Sequence, residues 1–98
     1  MMNVTELNSD VTLERLRKCL DQVRKVNGPV EFDSLVMQSL GFESIDVVDL
    51  LFVLEQEFGA VMTMLEFNQF VLTLPKRAGA EGWDFSVRDI ESFVRSRK

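Results

Sequence analysis

The sequence predicts a small all-α protein, an antiparallel bundle of three or four helices with a long loop between helices 1 and 2. Apolar residues recur at steps of three and four in several segments, which is the spacing of an amphipathic helix. Glycine, proline and capping residues separate these segments. With 98 residues, 46% of them hydrophobic, the chain is long enough for the core of one domain, predicted to span 1–98.

The first helix is predicted over residues 11–26, after a short lead-in at 1–10. Ser9 or Asp10 is expected to cap its start, and the Asn-Gly-Pro sequence at 27–29 is expected to end it. Its apolar face consists of Val11, Leu13, Leu16, Leu20, Val23 and Val26. The long loop then covers 27–43 and has room for one helical turn.

The second helix, over 44–58, has the strongest pattern. Ser44 is predicted as its N-cap, and Asp46 and Asp49 lie in its first turns, where the helix dipole favours negative charge. Gly59 is predicted to end it. Its core face consists of Val47, Leu50, Leu51, Leu54 and Phe58.

The opposite face of this helix combines apolar and acidic residues. Ile45, Val48 and Phe52 alternate there with Asp46, Asp49 and Gln56. Exposed apolar groups rimmed by charge usually mark a binding surface. The alternative is that Val48 and Phe52 pack against the loop or the third helix.

The C-terminal third is predicted to add two short helices. Residues 63–74 favour a helix over a strand, and Met62, Met64 and Phe67 are expected in the core. Residues 75–84 are turn-rich and are predicted to form a loop or insertion, with Trp83 covering an edge of the bundle. Ser86 and Asp89 resemble a capping box for the last helix, whose apolar residues are Val87, Ile90, Phe93 and Val94.

Composition narrows the function classes. Eleven basic against 16 acidic residues leave a net charge of −5, which disfavours nucleic acid and favours basic protein surfaces. Without histidine there is no Ser-His or Cys-His pair and no plausible zinc site. No constellation of acid, base and nucleophile is visible, so an enzyme is not expected and no metal site is predicted. The lone Cys19 is expected to be structural or idle, since no histidine or second cysteine would activate it. No apolar run reaches the about 20 residues of a membrane helix and no secretory leader is visible, so a cytoplasmic location is expected.

Residues 40–59, LGFESIDVVDLLFVLEQEFG, resemble the signature of acyl carrier proteins: Leu-Gly, a variable residue, Asp-Ser-Leu, then a helix ending in Phe-Gly. Two substitutions are visible, Glu43 for the usual aspartate and Ile45 for leucine. The chain departs from the family after Gly59, at 60–64 and again at 75–84. The matching residues are Leu40, Gly41, Ser44, Val48, Leu50, Leu54, Glu55, Phe58 and Gly59.

The resemblance implies that Ser44 is the attachment point of a covalent 4′-phosphopantetheine arm, added by a phosphopantetheinyl transferase. It implies a monomeric carrier that presents thioester-linked acyl groups to enzymes with basic docking patches, such as ketosynthases or acyltransferases. A helix N-terminus suits the phosphate of the arm, and Gly41 is expected to let the loop approach closely. The implied docking residues are Glu43, Ile45, Asp46, Val48, Asp49, Phe52 and Gln56.

The departures after Gly59 favour a specialised carrier, in a fatty-acid, polyketide or secondary-metabolite pathway. Two alternatives stay open. One is an aminoacyl or aryl carrier, although peptidyl carriers usually show Gly-Gly-(His/Asp)-Ser and this chain has Gly41, Phe42 and Glu43 before Ser44. The other is a helical adaptor with the same fold and no modification, which would bind partners through the apolar face around Phe52.

Overall fold

The computed structural model describes residues 11–74 and 84–97. Within these ranges the chain forms four helices: α1 (Leu13–Val23), α2 (Ser44–Phe58), α3 (Met64–Leu72) and α4 (Val87–Arg97). No strand forms in the same ranges, although Leu35 and Ser86 make one isolated bridge. The predicted all-α bundle with a long loop between the first two helices is confirmed. The lead-in at 1–10 and residues 75–83, which include Trp83, lie outside the described residues.

Helix α1 is shorter at both ends than the predicted span of 11–26. Its N-cap is Thr12, whose hydroxyl accepts the N–H of Arg15 at 3.2 Å, so the expectation of a cap at Ser9 or Asp10 is wrong. At the other end Arg24 has extended backbone, and the Asp21 carboxylate accepts the N–H of Val26 at 2.9 Å. That bond turns the chain out of the helix before residues 27–29 are reached.

Helix α2 has the predicted bounds but a different cap. Glu43, with extended backbone, is the N-cap, and Ser44 is the first helical residue, so the prediction of a Ser44 cap is wrong. The Glu43 N–H donates to the Asp46 carboxylate at 2.9 Å, which is the return bond of a capping box. Gly59 ends the helix with φ +73°, and its N–H donates to the Glu55 carbonyl at 2.8 Å, as predicted.

Side-chain contacts show that α1 runs antiparallel to α2. Arg15, near the start of α1, pairs with Glu57 at the end of α2 at 2.9 Å. Arg24, at the end of α1, pairs with Asp46 at the start of α2 at 3.3 Å. Helix α4 also opposes α1, since Arg95 donates to the Val11 carbonyl at 3.4 Å.

The core lies between these helices and contains the predicted apolar faces. The five core positions of α2 and the four of α4 are all buried. Phe67 of α3 makes edge contacts with Phe85 and Phe93, at centroid distances of 4.8 and 5.0 Å. Met62 is also buried and Met64 half-buried, so this cluster belongs to the core, as expected.

The predicted helix over 63–74 forms as α3, one residue shorter at its start and two at its end, with a threonine cap that was not predicted. Thr63 caps α3, accepting the N–H of Glu66 at 3.1 Å. Before α4, the Ser86 N–H donates to the Asp89 carboxylate at 2.8 Å and the Asp89 N–H donates to the Ser86 hydroxyl at 3.2 Å, which confirms the predicted capping box. None of the helices in the described part of the chain combines the length and the apolarity needed to cross a bilayer.

Candidate functional site

Ser44 lies exposed at the start of α2. Because Glu43 takes the N-cap position, the Ser44 hydroxyl is not used to close the helix. Among the described residues nothing hydrogen-bonds to this hydroxyl. The side chain is therefore available for chemistry with another molecule.

The backbone around Ser44 also has unused donors. The N–H groups of Ser44 and Ile45 have no acceptor within the described ranges, as is normal for the first turn of a helix. Together with the positive end of the helix dipole, two free N–H groups favour an anion beside the serine. This arrangement fits a phosphate attached to the Ser44 oxygen.

The loop that leads to Ser44 is held by the core. Phe42 is buried, and its N–H donates to the Val36 carbonyl at 3.1 Å. Gly41 has φ +79°, a conformation that residues with a side chain rarely adopt. A Cβ at Gly41 would meet nothing within 4 Å, so the expected close approach of the loop is wrong, and the backbone angle is what favours glycine there.

Three apolar side chains of the outer α2 face are in solvent. The exposed fractions are 69% for Ile45, 51% for Val48 and 63% for Phe52. The alternative that Val48 and Phe52 pack against the loop or α3 is therefore wrong. Asp49 and Gln56 are also exposed on this helix, and the helical spacing of 45, 48, 49, 52 and 56 makes these residues one stripe next to Ser44.

Asp46 differs from the other predicted docking residues. Only 14% of its side chain is exposed, and its Oδ2 atom accepts both the Glu43 N–H at 2.9 Å and the Arg24 guanidinium at 3.3 Å. Its carboxylate is thus engaged within the fold. Glu43 itself is exposed beside Ser44.

Glu55, which matches an acidic position of the family signature, is likewise engaged internally. Its carboxylate accepts the N–H of Met62 at 2.8 Å. That bond ties the link after Gly59 back onto α2. The stripe available to a partner therefore consists of Ile45, Val48, Asp49, Phe52 and Gln56.

Three further exposed apolar residues were not anticipated. Val61 is 74% exposed, Leu65 68% and Leu72 69%. Leu65 and Leu72 are seven residues apart and so lie on one face of α3, away from Phe67 and Val71, which are buried. That spacing was a signal in the sequence, because the buried and exposed apolar residues of 63–74 separate at a helical period.

Sequence reasoning also missed Asp84, since this residue was included in the loop at 75–84. Its carboxylate accepts the N–H groups of Met37 and Gln38, each at 3.0 Å, and of Phe85 at 2.7 Å. Asp84 thus joins the loop before Ser44 to the segment before α4. Asp84 follows Met37 by 47 positions and Gln38 by 46 positions. No local sequence pattern indicates hydrogen bonds over such a separation.

Cys19 does not compete with Ser44 as a nucleophile. The side chain is fully buried, and desolvation, together with the charge of Glu57, raises the pKa of its thiol to about 11. At neutral pH this thiol is protonated and has no access to solvent. The position is structural, as the sequence indicated.

The described part of the chain contains no cluster of three or more histidine, cysteine, aspartate or glutamate side chains that could hold a metal ion. Comparison with protein-family models, with curated proteins and with solved structures finds no match for this chain. The functional assignment therefore depends on the geometry around Ser44 and on the resemblance of residues 40–59.

Proposed function

We propose that this chain is an acyl carrier protein whose Ser44 is the attachment point of a 4′-phosphopantetheine arm. The observation that supports it most directly is the exposed Ser44 hydroxyl, which has no partner among the described residues because Glu43 caps the helix. An exposed stripe of apolar and acidic residues follows on the same helix. A serine needed only as a helix cap would have its hydroxyl bonded to the backbone.

The proposed chemistry needs little from this chain. The Ser44 oxygen attacks the phosphorus of the pantetheine phosphate in CoA, the phosphoanhydride bond breaks, and the nucleotide leaves. A base of the transferase accepts the serine proton, since the described residues place no base against the hydroxyl. With the arm attached, the Ser44 and Ile45 N–H groups would favour the negative charge of the phosphodiester. The bound arm supplies a thiol that holds acyl groups as thioesters.

The exposed stripe of α2 is the proposed docking surface. Val48 and Phe52 offer apolar contact, while Asp49 and the net charge of −5 attract basic patches on partner enzymes. Charge steering of this kind favours fast and reversible association, which a carrier that visits several enzymes requires. The proposed partners are the transferase and acyl-handling enzymes such as ketosynthases or acyltransferases. A monomeric state and a cytoplasmic location stay predictions.

The test is the intact mass of the protein after incubation with CoA and a phosphopantetheinyl transferase of broad specificity. We expect wild type to gain one phosphopantetheinyl group and Ser44→Ala to gain none. Ser39→Ala is the matched control, because Ser39 is an exposed serine of the preceding loop, and this variant should be modified like wild type. A wild-type chain that stays unmodified with several transferases would refute the proposal.

Phe52, 63% exposed, also favours a second candidate, an unmodified helical adaptor. The two functions differ in their dependence on Ser44. Partner binding that is unchanged in Ser44→Ala and lost in Phe52→Ala would support the adaptor. For a modified protein, the mass of the thioester-bound cargo from the native host separates an acyl carrier from an aminoacyl or aryl carrier.

A further inference from the structure

We infer that Asp84 is a positioning residue for Ser44, acting across the bundle through the loop that precedes α2; this inference rests on the proposed function. Asp84 and Ser44 are 40 positions apart, and the connection is made by hydrogen bonds to the loop. Those bonds form a clasp, defined here as residues 32–38 together with 84–88.

The clasp consists mainly of backbone bonds. The Val36 N–H donates to the Phe85 carbonyl at 2.8 Å and the Val87 N–H donates to the Ser34 carbonyl at 3.0 Å. A third bond, from the Arg88 N–H to the Phe32 carbonyl, measures 2.8 Å. These bonds do not depend on side-chain identity, so they should survive a substitution at Asp84.

Asp84 supplies the side-chain part of the clasp. One of its oxygens accepts the Met37 N–H and the other accepts the Gln38 N–H, both at 3.0 Å. No other acceptor for these two N–H groups is found in the described residues. Because both oxygens are used, an amide at this position would turn its NH₂ group toward an N–H donor and lose at least one bond.

Short steps lead from these two N–H groups to Ser44. Within the turn over 35–40 the Ser39 and Leu40 N–H groups both donate to the Leu35 carbonyl, at 2.9 and 3.0 Å. The Phe42 N–H then donates to Val36, and Glu43 caps α2. Helix ends fray readily, so a loosened loop would leave the cap and the first turn less well ordered.

This ordering matters for the transfer reaction because the serine oxygen must reach the phosphorus in a defined geometry. A displacement of about 1 Å can reduce a rate by as much as about a hundredfold. The outer face of α2, where the transferase would dock, does not contact Asp84 in any described bond. Loss of the Asp84 carboxylate should therefore lower kcat and leave KM close to the wild-type value.

The experiment compares wild type, Asp84→Asn and Asp33→Asn as transferase substrates, under conditions in which circular dichroism shows each chain folded. Asp33 is the matched control, because it lies in the loop before α2 that Asp84 binds. Its side chain is 89% exposed and makes only a 3.7 Å ion pair with Arg88. We expect kcat to fall about tenfold or more for Asp84→Asn and to stay unchanged for Asp33→Asn. A residue with a merely structural role would lower stability without changing kcat of the folded protein.

An unchanged kcat for Asp84→Asn, whether or not KM moves, overturns the inference. If that variant does not fold, Asp84→Glu, which keeps the charge but lies one methylene further out, replaces it under the same requirement. Amide hydrogen exchange of the unmodified wild type provides a second test without a transferase. Met37 and Gln38 must be protected, and exchange at the rate of free amides overturns the inference. Failure of the proposed function is distinguishable, because wild type then gains no mass.

Discussion

Asp46 provides a direct test of how the structure divides the acidic residues of α2. The resemblance places Asp46 and Asp49 together on a docking face, whereas the structure uses the Asp46 carboxylate internally. Its Oδ2 atom accepts the Glu43 N–H and pairs with Arg24 at the end of α1. Asp46→Ala should therefore destabilise the fold, and Asp49→Ala should not.

The contacts of the Asp46 side chain determine how much stability Asp46→Ala should lose. The bond to the Glu43 N–H is a capping interaction, which contributes about 1 kcal/mol. The pair with Arg24 is half exposed on the arginine side and contributes about 0.5 kcal/mol. Removing negative charge from the first turn costs about 0.5 kcal/mol more. We expect Asp46→Ala to lower the free energy of unfolding by about 2 kcal/mol.

The assay is urea unfolding followed by circular dichroism for three variants and wild type. Asp49→Ala is the matched control, because the Asp49 side chain is exposed and makes no hydrogen bond or ion pair within the described part of the chain. The free energy of unfolding of Asp49→Ala should stay within about 0.5 kcal/mol of the wild-type value. Arg24→Gln removes only the ion pair and should give about a quarter of the Asp46→Ala effect.

A loss for Asp46→Ala as small as that of Asp49→Ala would refute the reasoning, since it would mean that the capping and pairing contacts contribute nothing. Binding to a partner enzyme gives the complementary result. Asp49→Ala should weaken a charge-steered complex, most strongly at low salt. If instead both aspartates affect binding equally and neither affects stability, Asp46 belongs to the docking surface.

Three other predictions concern single side chains. Burial raises the pKa of the Cys19 thiol from 9.0 to about 11. The stabilisation from the neutral, buried thiol is therefore complete below pH 9 and is lost as the pH rises toward 11. In urea unfolding, wild type should lose about 2 kcal/mol more than Cys19→Ala over this range. Phe67→Ala should lower the free energy of unfolding by about 3–5 kcal/mol in the same assay. Leu65→Ala, at a position that is 68% exposed, should change it by no more than about 0.5 kcal/mol. Phe52→Ala should preserve stability and raise the KM of the transferase reaction.

Each of these predictions has a contradicting result. Identical pH dependence in wild type and Cys19→Ala would show that the thiol pKa is not raised by folding. Equal losses for Phe67→Ala and Leu65→Ala would contradict the aromatic packing around Phe67. An unchanged KM for Phe52→Ala would exclude this side chain from the docking surface.

The helices could be predicted from the sequence because a helix buries residues at a fixed local period. The bounds of α2, the capping box before α4 and the burial of Phe67 all follow from residues within a few positions of one another. The same local patterns placed Ser44 at the start of α2 and the apolar residues of its outer face.

Helix ends were less predictable. Ser9 and Asp10 are intrinsically better caps than Thr12, yet Thr12 caps α1, so cap preference alone did not decide where this helix begins. At the start of α2, Glu43 occupies the N-cap position, where serine is usually preferred. The Asp46 carboxylate accepts the Glu43 N–H and also pairs with Arg24. Arg24 lies 22 positions before Asp46 in the chain, so only the packing of α1 on α2 brings the two side chains together.

The sequence alone determined the all-α class, the order of the helices and the serine at the head of α2. Tertiary structure decided which acidic residues remain available to partners: Asp46 and Glu55 are bonded within the fold, and Asp49 is exposed. It also brought Asp84 to the loop before Ser44. The physical reason is that helix formation depends on neighbours along the chain, whereas these carboxylates bind groups that only packing brings within hydrogen-bond distance.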